Sequence, residues 1–100
     1  MRLSTQQRHL IKSVLMHFFG SESLILLFGS RVDDTALGGD IDIYIEPEIS
    51  DVDQIVEARL DALVEMHKTL GDQKIDLVIR RKSGPSLPIH KIAKESGVLL

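Results

Sequence analysis

The sequence predicts a single domain, residues 1–100, of the α/β (α+β) class: a small mixed sheet with helices packed on one face. Three observations predict it. Apolar residues near the N-terminus recur at helical spacing. Two later stretches, 40–46 and 74–80, alternate with the period of two that marks a strand. A longer stretch of helical periodicity lies between them, so helices and strands interleave along the chain.

Each element has its own signals. Ser4, with Gln7 three residues on, fits a capping box. Leu10, Ile11, Val14, Leu15 and Phe18 then give a helix its apolar stripe, and Gly20 and Ser21 stop it. Residues 24–28 are a short apolar run, consistent with a buried strand. A segment of about ten residues follows, with room for one helical turn. In 40–46 the alternation puts Ile41, Ile43 and Ile45 on one face, and Pro47 ends the run. Ser50 and Asp53 are placed to cap a second helix. Its inner face reads as Val52, Val56, Leu60, Leu63, His67 and Leu70, with Gly71 as its stop. Residues 74–80 give a third strand, Ile75, Leu77 and Ile79 alternating with Asp76 and Val78. Gly84, Pro85 and Pro88 mark a loop, and a last helix is expected over 89–96, before Gly97.

Composition narrows the classes. Hydrophobic residues at 43% and charged residues at 27% are ordinary for a globular chain and argue against disorder. The absence of cysteine excludes disulfides and thiolate metal sites, and a cytoplasmic location is expected. No apolar run approaches the ~20 residues of a membrane span. Gln6, Gln7, Arg8 and His9 interrupt any signal-peptide core. The net charge of −3 hides a gradient: residues 32–79 hold three basic side chains against thirteen acidic ones, whereas 80–100 hold five against one. The acidic middle disfavours direct nucleic-acid binding. The basic tail, Arg80-Arg81-Lys82 and Lys91 to Lys94, is either a solvated surface or one that attracts an acidic partner or a phosphate.

Three aspartates carry the chemistry. Asp40 and Asp42 point the same way on their strand, roughly 6.5–7 Å apart. Asp76 is out of phase with the isoleucines and leucine of its own strand. If both strands turn their aliphatic faces to the same helices, all three carboxylates share the other face. Alternation of this kind also describes a strand with one wet face. Aspartate, however, is a poor strand former, and carboxylates gathered there repel one another unless a cation intervenes. Magnesium binds such oxygen ligands, and two ions about 3.5–4 Å apart are the usual clamp for displacement at phosphorus. Gly29-Ser30 closes the first strand. Glycine allows close backbone approach, and serine offers a hydroxyl and an N–H to a phosphate.

Gly29-Ser30, nine intervening residues, Asp40-Ile41-Asp42 and the later apolar-flanked Asp76 together resemble the nucleotidyltransferase superfamily typified by DNA polymerase beta. Within it the chain is similar to the minimal nucleotidyltransferases. The resemblance covers 24–79 in motifs and the rest in element order and size. It implies the nucleotidyltransferase fold and a set of roles. Gly29, Ser30 and Arg31 would contact the phosphates of a nucleoside triphosphate, ATP above all. Asp40, Asp42 and Asp76 would hold two magnesium ions, and Asp76 would help deprotonate the attacking hydroxyl. Family members are often antitoxins paired with a small helical HEPN protein, and some transfer AMP to a tyrosine of that toxin. A HEPN-type partner and a toxin–antitoxin role are therefore implied, with the basic tail or Tyr44 as candidate docking points, Tyr44 alternatively packing beside the metal site, and homo- or hetero-oligomers expected.

The chain departs from the family pattern in two places. Val32-Asp33-Asp34 stands where members often carry Arg-Gly or Lys-Gly, and Gly39 where they often carry Ser. The alternative is a binding module on the same fold that neutralises a partner by contact. A phosphatase with an Asp-x-Asp nucleophile is disfavoured, because Ile43-Tyr44-Ile45 continues the strand beyond the aspartates. His9, His17, His67 and His90 lack metal-ligand spacing, and His67 is expected in the core or at its boundary.

Overall fold

A computed structural model describes residues 3–29, 40–71, 73–81, 84 and 86–100. Ser4 starts the first helix, α1 (Thr5–Phe19), through the expected reciprocal pair: the Gln7 backbone N–H donates to Ser4 Oγ (3.1 Å) and the Ser4 N–H to Gln7 Oε1 (3.0 Å). Ile11, Leu15 and Phe19, four residues apart, form its buried stripe. Gly20 ends the helix at φ +107°, a region that suits glycine alone.

Strand β1 (Leu24–Phe28) runs antiparallel to β2 (Ile41–Glu46), which pairs in parallel with β3 (Ile75–Ile79). A parallel neighbour needs a crossover, and α2 (Val52–Leu70) supplies it. After α3 (Pro88–Ser96), the chain adds a short strand, β4 (Val98–Leu99), antiparallel to β1. The sheet order is β3-β2-β1-β4. Strand β4 has no sequence signal, because two residues are too few for a period.

The sheet is mixed and helices pack on it, as predicted. Its two faces are covered differently. Ile25, Leu27, Ile41, Ile43, Ile45, Ile75 and Leu77 meet α1 and α2 in one aliphatic core. Leu26, Phe28 and Tyr44 point the other way and pack with Ala93 of α3. The expectation of helices on one face therefore holds for α1 and α2, whereas α3 lies on the opposite face. Gly97 makes that fit possible: a Cβ there would press on the Ala93 carbonyl and on Leu26.

Helix α2 corrects two further expectations. Its cap is Asp51, whose carboxylate accepts the Gln54 N–H (3.1 Å), rather than Ser50 or Asp53. Its buried face is Ile55, Ala58, Ala62 and Met66, while Val52, Val56 and Leu60 stand about half exposed. The stripe of large residues faces outward, while the small-residue face carrying Ala58 and Ala62 turns inward, where α2 runs close to α1. His67 is exposed and its Nε2 lies 3.0 Å from the Gln73 carbonyl oxygen, so it is no core residue. On the β3 side, Arg59 Nη1 donates to the Leu77 carbonyl (2.6 Å), covering part of an edge strand's free backbone.

Candidate active site

The parallel register sets Asp42 directly opposite Asp76. Adjacent strands lie about 4.8 Å apart, and both side chains project to the face that α3 partly covers. Burial pushes the Asp42 carboxyl above its ordinary 3.8; the charge of Asp76, a hydrogen bond shared with it, and the charge of Asp40 push the same way, with Lys74 opposing. Two partly buried carboxylates are thus joined in one place by strand register.

Asp40 sits just before β2, and its carboxylate lies 3.7 Å from Lys74 Nζ. The same register explains the pair: Ile41 is opposite Ile75, so the residues before them, Asp40 and Lys74, are neighbours too. Among the described residues no three His, Cys, Asp or Glu side chains are gathered closely enough to enclose a metal ion. Asp42 and Asp76 converge; Asp40 is held by the lysine. A two-carboxylate set of hard oxygens, mutually repelling and half-buried, still fits magnesium, which commonly takes one or two carboxylates and leaves its other positions to water and phosphate.

Gly29 closes β1 against this pair. Its φ is +76°, and a Cβ on it would collide with the Asp42 carboxylate. The backbone at the end of β1 therefore passes close to the acid, an approach that glycine makes without strain. Ser30 and Arg31, the other predicted phosphate contacts, lie outside the described residues, as do Asp33, Asp34 and Gly39.

Along β2 the same face continues through Tyr44 and Glu46. Tyr44 is fully buried, so it packs beside the aspartates rather than serving as a docking point, and its hydroxyl donates to Glu46 Oε2. Burial and that hydrogen bond raise the Tyr44 phenol, with Arg80 opposing. Burial also pushes the Glu46 carboxyl upward, but hydrogen bonds from Tyr44 and Lys94, with the charges of Lys94 and Arg80, outweigh it and leave Glu46 below its ordinary 4.5. Lys94 Nζ lies 3.3 Å from Glu46 Oε2. His90 is buried on α3; its Nδ1 accepts the Leu87 N–H (3.1 Å), and its ring centre is 6.0 Å from that of Tyr44. Arg80, His90, Lys91 and Lys94 line a hollow of about 270 Å3 on this side.

The sequence missed Lys74, Glu46 and His90 as neighbours of the site. Glu46 was readable from its parity with Asp42. Lys74 required the parallel register, and His90 required the placement of α3. No helix among the described residues is long and apolar enough to cross a membrane. No model of a known protein family matches the chain, and neither does any curated protein.

Proposed function

We propose that the protein is a magnesium-dependent nucleotidyltransferase that moves AMP from ATP to a protein hydroxyl. The observation that carries this reading is the Asp42–Asp76 pair, set in register on adjacent strands with Gly29 packed over Asp42. Strand register rarely places two carboxylates opposite each other, since like charges across a pair destabilise the sheet. Such an arrangement makes sense where a cation is to be bound.

The acceptor hydroxyl would attack the α-phosphorus; the new oxygen–phosphorus bond forms as the bond to pyrophosphate breaks, and the hydroxyl proton passes to Asp76. Asp42 and Asp76, with Asp40 once released from Lys74, would hold magnesium. Bound magnesium would supply charge neutralisation for the triphosphate and the departing pyrophosphate. Gly29 leaves room for the Asp42 carboxylate at the end of β1, and Ser30 and Arg31 follow it in sequence to contact the phosphates. Most of the rate would come from positioning and electrostatics. The physiological setting proposed is an antitoxin, with a HEPN-type helical protein as acceptor and partner, in the cytoplasm.

A second reading has its own observation. The Lys74–Asp40 pair neutralises one of the three carboxylates the transferase reading needs. A chain that kept the fold but used it to bind its partner, without catalysis, would tolerate this pairing. The deciding experiment is incubation with α-labelled ATP, magnesium and the protein encoded beside this one in the genome, followed by intact mass. One added AMP on the neighbour, absent with Asp40→Ala/Asp42→Ala, supports transfer. No adduct, with the complex intact in both variants, supports the binding module.

A further inference from the structure

Helix α2 carries two parallel ridges on its solvent side. Val52, Val56, Leu60 and Val64 recur every four residues and are between 49% and 59% exposed. Asp53, Glu57, Asp61 and Glu65 follow one position behind each of them, and all four are exposed as well. At about 100° per residue, rows spaced by four form continuous ridges, and these two lie side by side for about 18 Å. Neither ridge contributes to the core, which α2 meets through Ile55, Ala58, Ala62 and Met66.

The acidic ridge has an apolar surface on both flanks. On one side is the valine–leucine ridge. On the other is a groove of about 310 Å3 between α1 and α2, where half-buried Phe18 and Ile49 lie below Glu57 and Asp61. Within the described residues, Glu65 pairs with Lys68 (3.0 Å), and neither Glu57 nor Asp61 has a basic partner within 4.0 Å. Asp53 lies in the first turn, where the helix dipole already favours it. Any partner that covers the apolar ridge must also lie against Glu57 and Asp61, and burying those charges without counter-charges is costly.

That requirement selects the occupant. A second copy docking through α2 about a two-fold axis brings both acidic ridges to the same side when the helices are antiparallel, where they repel. With the helices parallel, each acidic ridge meets the partner copy's Asp51, Ile55, Arg59 and Leu63 flank, which offers no row of counter-charges. An anionic membrane is repelled likewise. We infer that the outer face of α2 is a docking surface for an amphipathic helix of another protein, one whose apolar ridge is flanked by lysines or arginines spaced four apart. This inference does not rest on the transferase reading.

Two synthetic three-heptad helices, one of leucine and lysine and one of leucine and glutamate, provide the test, with binding to the full chain followed by fluorescence anisotropy at about 0.15 M salt. The lysine helix is expected to bind at least tenfold more tightly than the glutamate helix. Glu57→Lys/Asp61→Lys should invert that preference. Val56→Ser/Leu60→Ser should weaken binding of the lysine helix at least tenfold while leaving the thermal melt unchanged, since both positions are exposed. Lysine-helix binding that ignores Val56→Ser/Leu60→Ser would overturn the inference by showing charge attraction alone. So would a dimer of the wild-type chain in sedimentation that Val56→Ser/Leu60→Ser dissolves, because the apolar ridge would then belong to a second copy.

Discussion

The two faces of β2 are made by six consecutive residues and behave as opposites. Ile41, Ile43 and Ile45 are fully buried under α1 and α2 in a continuous aliphatic layer. Asp42, Tyr44 and Glu46 face the other way, into a setting of carboxylates, a buried phenol, a histidine and basic side chains. The first face supplies folding free energy and could exchange one hydrophobic residue for another of similar volume at small cost. The second holds charges close together at a cost in stability, which is the usual mark of a surface shaped by chemistry. The period of two lets both coexist, since neighbouring residues never share a face.

The largest effect that could break this contrast lies on the polar face. Asp42→Asn or Asp76→Asn should lower AMP transfer by about 10³-fold, the scale of losing a preorganised electrostatic group, while the circular-dichroism spectrum stays unchanged. If either variant transfers AMP at the wild-type rate, the carboxylate pair is not the centre of the chemistry. The aliphatic face should respond in the reverse manner. Ile43→Ala removes a fully buried side chain from the middle of the sheet, at a cost of about 3 kcal/mol in urea unfolding. Transfer measured well below its melting point should be retained.

That contrast also marks how far the sequence could be read. The alternation in 40–46 is a local property, so the parity of Asp40, Asp42, Tyr44 and Glu46 was legible without a structure. The sharing of a face with Asp76 followed from one further assumption, that both aliphatic faces meet the same helices, and the structure bears it out for Asp42 and Asp76. What was not legible depends on more than one element. The parallel direction of β3 places Lys74 beside Asp40, and nothing in either stretch declares direction. The expected inner face of α2 holds for Leu63 and Leu70, which pack against the core, but fails for Val52, Val56 and Leu60, because valine and leucine outweigh alanine in a hydrophobic pattern while Ala58 and Ala62 take the buried positions. The side of the sheet taken by α3 depends on Leu26 and Phe28 as much as on α3 itself.

Gly29 joins the two regions, because it ends a strand of the core and touches the acid of the polar face. Gly29→Ala would force a side chain into a left-handed conformation, at about 1–2 kcal/mol, and drive its Cβ into the Asp42 carboxylate. The expected outcome is modest destabilisation with a disproportionate loss of Mg-ATP affinity in calorimetry. Equal affinity in wild type and variant would mean that the approach of β1 to Asp42 has no part in binding.

The smallest effect is the most diagnostic, because it compares two acids on one face of one strand. Asp42 is raised above its ordinary value, so the folded chain holds that proton more tightly than the unfolded chain does. Its ionised form opposes folding at neutral pH, and this opposition fades as pH falls through the folded-state value towards 3.8. Glu46 is lowered, so it adds stability above 4.5 that is lost as pH falls through its folded-state value. Both groups are partly exposed to solvent, which screens them, so each difference should stay under about 1 kcal/mol. At pH 7, Asp42→Asn should be slightly more stable than wild type and Glu46→Gln slightly less, and both differences should shrink towards pH 3 in urea titrations. Millimolar magnesium should stabilise the wild type but not Asp42→Asn, since a cation relieves a repulsion that the amide has already removed. If Asp42→Asn were instead destabilising at pH 7, the two faces would not differ in kind: Asp42 would be a structural residue, and the carboxylate pair would need no cation to explain it.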